Sequence, residues 1–403
     1  FIMQSLEGDG WVFVHVGGAI GAEGELEGVE TKLPHELTRY RLPAPASGEE
    51  LVAAVRQVYR LFEGIAPDRI IYPLVALAMR AVIGGVDLSG HLAGATGKGK
   101  STLAVLVCSF FGDFSKTDDL KASWSSTANY LEMLAFFAKD VVLAIDDFNP
   151  MGSATDVARA HKGADRVFRA QGNAAGRGRL GADGSLRPAK HPRGLILSTG
   201  EEIPIGHSLR ARMVILEVGD GDVDLDALRT ALQDRSTRSA VMGGVIAFLA
   251  GRLDEVRAGL GDAVHEARSK NFGFAAHKRM STNGAELLFG FDVFQTFALS
   301  IGAIDDATAR EHRERCLDAL LETTRLQETT MLSADPTRAF LRLIVAALQS
   351  GRAHLVDRHT GHHPEDEGVA EVLGWRRVTQ DGSDAWQPGG QKIGWIDLKS
   401  ASV

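Results

Sequence analysis

Gly94-Ala-Thr-Gly-Lys-Gly-Lys-Ser101 decides the reading of this chain. It matches the phosphate-binding loop pattern G-x-x-x-x-G-K-S/T in full. Glycines at 94, 97 and 99 let successive backbone N–H groups turn inward around a polyphosphate. Lys100 can neutralise the β- and γ-phosphates, and the Ser101 hydroxyl can hold Mg2+. Gly94, Ala95, Thr96, Gly97, Lys98, Gly99, Lys100, Ser101 and Thr102 therefore form the candidate nucleotide-binding segment, with ATP and Mg2+ as the implied ligands. The flanks fit. Leu88 to Ala93 reads as a short strand and Thr102 to Phe111 as an apolar helix, and strand, loop and helix are the setting that the motif needs.

Downstream of the loop, strands and helices alternate, the signature of an α/β sheet. Thr127 to Ala138 reads as a helix, Asp140 to Ile145 as an apolar strand and Thr155 to Ala170 as a further helix. Gly194 to Ser198 and Met213 to Val218 read as the last two core strands. The strand that ends in Asp146-Asp147 lies 46 residues after Lys100. Chemistry asks for one carboxylate to hold the metal ion and a second to orient or deprotonate the attacking water. Asp146 is the candidate metal residue and Asp147 the candidate hydrolysis residue. Ser198-Thr199 ends the next strand, where Thr199 can sit between those acids and the γ-phosphate. Arg210 and Arg212 precede the last strand. A guanidinium there can reach the ATP of a neighbouring subunit, or serve only as a cation at a helix end.

Between these strands lies an unusual insertion. His161 to Arg193 holds eight basic residues against Asp165 and Asp183, in a chain whose net charge is −8. Gly176 to Leu180 and Ser185 to Pro188 flank Gly181-Ala-Asp-Gly184, a hairpin turn sequence. A basic hairpin over about 174–192 would place Arg177, Arg179, Arg187 and Lys190 where they can meet nucleic-acid phosphates. A solvated basic loop or a subunit contact is the alternative.

At 403 residues, with 44% hydrophobic and 24% charged, the chain has the composition of an ordinary multi-domain globular protein. Residues 1–85 read as an N-terminal α+β subdomain, β-rich over 11–45 and helical from Glu49 to Glu63 and Pro73 to Val82. Residues 86–220 read as the α/β core. Residues 221–335 read as a helical lid, with helices over 225–233, 240–260, 284–301 and 306–327. Residues 336–403 read as a helix over 337–350 and a small module of strands and turns. Its tryptophans, Trp375, Trp386 and Trp395, are expected to form a small core. His354, His359, His362 and His363 are expected in a solvated loop rather than around a metal. No apolar run is long enough to span a bilayer, and Cys108 and Cys316 form no paired motif, which fits a reducing cytoplasm. The chain starts at Phe1 and stops amid strand-like sequence, as expected of a piece of a longer polypeptide.

Gly94–Ser101, Trp124-Ser-Ser-Thr-Ala-Asn-Tyr-Leu-Glu132, Ala144-Ile-Asp-Asp-Phe148, Arg169-Ala-Gln-Gly-Asn173 and Leu197-Ser-Thr-Gly-Glu201 occur in a characteristic order. Together they resemble the helicase-like AAA+ ATPases of plasmids, phages and integrative elements, a group often fused to a primase and related to the superfamily-three and MCM-like helicases. The resemblance covers residues 10–220 well and the helical remainder more loosely. It implies an AAA+ P-loop core with a mostly parallel sheet flanked by helices, ATP hydrolysed between subunits of a hexamer, and a pre-sensor hairpin gripping single-stranded or forked DNA. It also implies primase or other replication partners, Thr199 at the sensor-1 position, and a tail that begins a winged-helix module. Asp147 departs from the family pattern, where the second acid is more often Glu. Two functions follow as expectations: an ATP-driven DNA helicase or translocase, or an ATP-switched initiator or loader that assembles on DNA without unwinding it.

Overall fold

The computed structural model describes residues 2–6, 10–176, 178–180, 185–187, 189–275, 277–333, 336–380 and 383–397. They belong to two units, residues 1–328 and 329–403.

The first unit opens with an antiparallel sheet of β1 (Ile2–Leu6), β2 (Gly10–His15), β3 (Gly18–Gly21) and β4 (Gly24–Leu26), paired in that order. Val12, Phe13, Ala19 and Ile20 are buried on it. Helix α1 (Gly48–Tyr59) follows and buries Leu51, Val55, Val58 and Tyr59, the spacing of one helical face. Helix α2 (Asp68–Ile83) is buried from Ile70 onward. The sequence places its start at Pro73, because proline is best tolerated in a first turn. The helix begins five residues earlier, with Pro73 inside it. A proline there removes the N–H that would bond the Arg69 carbonyl. The Thr323 hydroxyl lies 3.0 Å from that carbonyl and 2.8 Å from the Ala319 carbonyl of its own helix, and its one proton serves either, so another helix offers the uncovered Arg69 carbonyl a partner.

The core sheet runs β5 (Ser89–Ala93), β6 (Ala122–Ser123), β7 (Val142–Phe148), the short pair β8 (Arg179–Leu180) and β9 (Leu186–Arg187) outside the sheet, then β10 (Leu195–Gly200) and β11 (Met213–Glu217). The sheet order is β11-β5-β10-β7-β6, and each pairing is parallel. Every residue of β5 and of β10 is buried. Central strands of a parallel sheet are covered on both faces, which is why β10 opens on the apolar Leu195-Ile-Leu197, while the small Ser89 and Gly90 of β5 are buried as well. Helices α3 (Lys100–Cys108), α4 (Ala128–Phe137), α5 (Ala154–Gly172) and the one-turn α6 (His207–Arg210) connect the strands. Thr127 caps α4 and Ser153 forms a capping box with Asp156 at α5, so both starts are encoded locally.

After β11 come α7 (Leu225–Gln233), α8 (Arg235–Ala250), α9 (Leu253–Lys270), α10 (Lys278–Ser300) and α11 (Asp306–Ser333). One helix over 240–260 is expected from sequence. It is two, because the chain leaves helical geometry at Arg252, whose φ is −147°. Helix α10 lies directly on α2. A Cβ on Gly290 would come within 2.8 Å of the Arg80 backbone nitrogen, so glycine sets the distance between these two helices.

The second unit holds α12 (Pro336–Gln349), β12 (Ala353–Asp357), α13 (Glu367–Val372), β13 (Trp375–Gln380), β14 (Ser383–Pro388) and β15 (Gln391–Ile396). Strand β12 pairs parallel with β15, and β13 pairs antiparallel with β14. Trp375 is buried beside Val356, Ala370 and Leu373, with Trp386 packed against them. Trp395 departs from the expected core: it is 64% exposed, with Lys392 over its ring. His354 departs from the expected loop. It is buried on β12, with Nδ1 2.9 Å from the Gly389 carbonyl. Its place is set by the strand pairing, which a cluster of histidines in sequence does not reveal. Among the described residues no cluster of three or more His, Cys, Asp or Glu is placed to hold a metal ion. No described helix is long and apolar enough to cross a membrane, and Cys108 and Cys316 are buried thiols.

Candidate nucleotide-binding site

The loop from Gly94 to Gly99 leaves the carboxyl end of β5 and opens α3, the place where open α/β sheets bind ligands. Its glycines are required by contact as well as by conformation. Gly94 has φ +152°, and a Cβ there would lie 2.3 Å from the Val218 carbonyl oxygen. Gly99 has φ +84°, and a Cβ there would meet Leu225 at 2.8 Å. The segment after β11 thus closes down on the phosphate loop. It is held in place by Arg69, which bonds the Asp222 carboxylate at 2.6 Å and the Glu217 carbonyl at 2.8 Å. Lys98 forms an ion pair with Asp220 on the same segment.

A cavity of about 320 Å³ lies over the loop. Thr96 to Thr102 form one wall. Asp147, Thr199, Gly200 and Glu201 form the second, and Leu225 and Arg229 of α7 close the third. Lys100 is buried, with Nζ donating to the Ala95 carbonyl at 2.7 Å. Burial pulls its ammonium below the ordinary lysine value, against the attraction of Glu201, Asp146 and Asp147.

Asp146 gathers the site. Its Oδ1 accepts hydrogen bonds from Ser101 Oγ at 2.8 Å and from Thr199 Oγ1 at 2.5 Å. Thr199 Oγ1 in turn accepts from the Asp147 amide at 3.1 Å. Phosphate loop, β7 and β10 are thereby joined at one carboxylate. The two acids part company through a bulge. Asp146 and Asp147 of β7 face the single residue Thr199 of β10, between the Ile145–Ser198 and Phe148–Gly200 pairs. Asp147 has φ +65°, in the left-handed region that Asp adopts more readily than most residues with a side chain. The bulge turns Asp147 outward and exposed while Asp146 stays half-buried. On the other side, Trp124 Nε1 donates to Ser198 Oγ at 2.8 Å, tying the quoted Trp124 segment to the same strand.

Arg210 and Arg212 do not line this cavity. Arg210 Nε donates to the Pro204 carbonyl at 3.0 Å, and burial lowers its pKa. Arg212 donates to Ser208 and, at 3.1 Å, to Asn173 Oδ1. In the basic insertion, β8 and β9 pair antiparallel with Arg179 opposite Arg187 and Leu180 opposite Leu186. Leu186 is 85% exposed. A Cβ on Gly176 would lie 2.3 Å from the Lys190 carbonyl oxygen, so the two arms close together at the base. Lys190 is exposed, with Nζ 5.4 Å from the centre of the Phe136 ring. Arg177 and the turn at 181–184 lie outside the described residues.

Four cavity residues were not singled out from sequence: Gly200, Glu201, Leu225 and Arg229. Glu201 ends a quoted motif, and its place two residues past Thr199 was the available signal. Leu225 and Arg229 carry no motif. They reach the cavity because α7 packs over α3.

Two buried histidines give the fold a pH dependence. His91 lies on β5 with Nε2 3.0 Å from the Glu202 carbonyl, and its Nδ1 is buried without a hydrogen-bond partner. Burial lowers its pKa from 6.5 to about 4, and His15, buried between β2 and the Gly17 and Leu42 amides, is likewise lowered to about 4. In that interval the unfolded chain binds protons that the folded chain refuses. Stability is therefore full above pH 6.5 and falls as the pH drops toward 4, by about 1.4 kcal/mol per pH unit for each histidine. Urea midpoints measured from pH 7 to pH 4.5 should fall steeply below 6.5. A flat profile down to pH 5 would show that these rings are charged in the folded state.

A family model described as a domain of unknown function (DUF927) matches residues 72–190, from within α2 to the end of the basic insertion. No curated protein matches the chain. Among solved structures, the chain is similar to one described as SCCmec type IV Cch - active helicase, at 15% identity and a TM-score of 0.53. That likeness covers 89% of this chain and 65% of the other, so the chain spans just under two thirds of that protein's length. A JCV helicase crystallised with a small-molecule ligand is matched at 13% identity and a TM-score of 0.29, over 58% of this chain and 67% of that one. The parallel sheet flanked by helices, with a phosphate loop at its carboxyl edge, is a helicase-like P-loop fold.

Proposed function

We propose that the chain is an ATP-dependent DNA helicase or translocase of a mobile genetic element, acting as a ring, expected to be a hexamer, in DNA replication. The observation that carries this reading is the Asp146 carboxylate, which joins the phosphate-loop Ser101 to Thr199 beside an open cavity over Lys100. That constellation is built for a nucleoside triphosphate. Ser101 and Asp146 offer only oxygen donors, the set that Mg2+ prefers, and they would hold it. When bound, the ion supplies charge neutralisation at the phosphates. Lys100 binds and orients the β- and γ-phosphates, and Thr199 senses the γ-phosphate end. Hydrolysis also needs a carboxylate in reach of the attacking water, the role expected of Asp147. Arg210 and Arg212, turned away from their own cavity, are read as reaching the ATP of a neighbouring subunit. The likeness to the Cch helicase supports a helicase-like fold, and strand displacement is what separates a helicase from an initiator or loader.

DNA, single-stranded or forked, is the proposed track, and Arg177, Arg179, Arg187 and Lys190 the proposed contacts. Primase or other replication proteins are the proposed partners, residues 336–403 are read as winged-helix-like, and the cytoplasm is the proposed location. Replacing Arg177 and Arg179 by Ala should weaken binding to single-stranded DNA and reduce the slope of log affinity against log salt by about 1.4, or about 0.7 for each lost phosphate contact. An unchanged slope would show that the hairpin meets something other than phosphate. The function itself is tested by strand displacement on a forked duplex with ATP, which should proceed with the wild type and stop with Lys100→Ala. DNA binding that depends on ATP, with no displacement, would favour the initiator or loader.

A further inference from the structure

We propose that Glu201, rather than Asp147, takes the proton from the water that attacks the γ-phosphate; this rests on the ATPase reading above. Asp147 is poorly suited. It has one methylene and sits at a bulge with its amide committed to Thr199, so its carboxylate reaches less far into the cavity that it shares with Glu201. Glu201 has the longer reach and lines the same cavity. Its Oε1 accepts the hydroxyl of Thr96, at the top of the phosphate loop, and Oε2 takes no part in that contact. Lys100, on the facing wall of that cavity, marks where the β- and γ-phosphates would lie.

The backbone that carries Glu201 is fixed from both neighbouring strands. Its amide donates to the Phe148 carbonyl at 3.1 Å, and the Gly200 carbonyl accepts from the Gly94 amide at 3.2 Å. One residue on, the Glu202 carbonyl meets His91 at 3.0 Å. Gly200 permits this approach, since a Cβ there would lie 2.6 Å from the Phe148 carbonyl oxygen. A general base held by rigid elements needs little reorganisation to act. In the step itself, the water oxygen bonds to the γ-phosphorus as the bond from that phosphorus to the β–γ bridging oxygen breaks. The bridging electron pair leaves with ADP. The water proton passes to the Glu201 carboxylate and from there to the released phosphate.

The test measures steady-state ATP hydrolysis and the affinity for a fluorescent ATP analogue in wild type, Glu201→Gln and Asp147→Asn. Glu201→Gln should lower kcat at least about 100-fold, the span of a general base, while changing analogue affinity less than about threefold. The acidic limb of the wild-type pH–rate profile should vanish from its residual activity. Asp147→Asn should lose less than about tenfold and keep that limb. The proposal is overturned if Asp147→Asn shows the larger loss, if Glu201→Gln keeps its rate, or if it loses analogue affinity as much as rate. A wild type that binds the analogue but never hydrolyses ATP would sink the ATPase reading instead, so the two failures are told apart.

Discussion

Replacing Lys100 by Ala is expected to lower ATP hydrolysis about 10³-fold, the scale of removing one preorganised charge from a phosphoryl-transfer site. The reason is geometric. Lys100 is buried at the start of α3, and its ammonium is held over the loop by the Ala95 carbonyl. In the proposed nucleotide complex that ammonium would exchange the carbonyl for phosphate oxygens. Burial already disfavours its charge, while Glu201, Asp146 and Asp147 favour it. A polyphosphate adds to the favourable side, so the lysine stays charged where the negative charge of the transition state gathers. Alanine removes that charge and leaves three carboxylates facing the phosphates. Phosphate release assayed with and without single-stranded DNA checks the rate, and circular dichroism checks that the fold survives. Hydrolysis within tenfold of wild type would remove Lys100 from the chemistry.

Replacing Arg80 by Met is expected to cost about 3–5 kcal/mol, because it breaks a buried ion pair and strands its partner. Arg80 is fully buried in α2. It bonds Glu286 of α10 at 2.9 Å and donates to the Gly84 carbonyl, at the end of its own helix, at 2.7 Å. Burial already pushes the Glu286 carboxyl above its ordinary pKa, and Arg80 is the main force holding it down. The pair sits where Gly290 lets α10 touch α2, so neither helix can turn the groups out to water. Removing both charges, with Arg80→Met and Glu286→Leu together, should recover much of the loss. Urea unfolding of the two single variants and the double variant measures this. A double variant as unstable as Arg80→Met alone would show that packing at the crossing, rather than charge, sets the cost.

How much could be read from sequence follows from which interactions are local. The phosphate loop was legible because a strand, three glycines, a lysine and a serine must be consecutive to cradle phosphate. Strands β7 and β10 were legible because burial on both faces leaves an apolar run, β5 because it leads into the phosphate-loop motif, and α4 and α5 because Thr127 and Ser153 cap them within a few residues. The start of α2 was misread because the partner offered to the Arg69 carbonyl comes from Thr323, 250 positions from Pro73 in the chain. The break between α8 and α9, the burial of His354 and the exposure of Trp395 were hidden for the same reason: each depends on what packs alongside.

The site divides along the same line. By itself the sequence determined that a phosphate loop, an acidic strand end and a basic insertion exist, since each is a property of neighbouring residues. Only the tertiary structure decided that Asp146 joins Ser101 to Thr199, that a bulge separates the exposed Asp147 from the half-buried Asp146, and that Glu201 and Arg229 face the same cavity. Those are contacts between strands and helices far apart in the chain. Sheet register and helix packing create them, and no local pattern of residues encodes register.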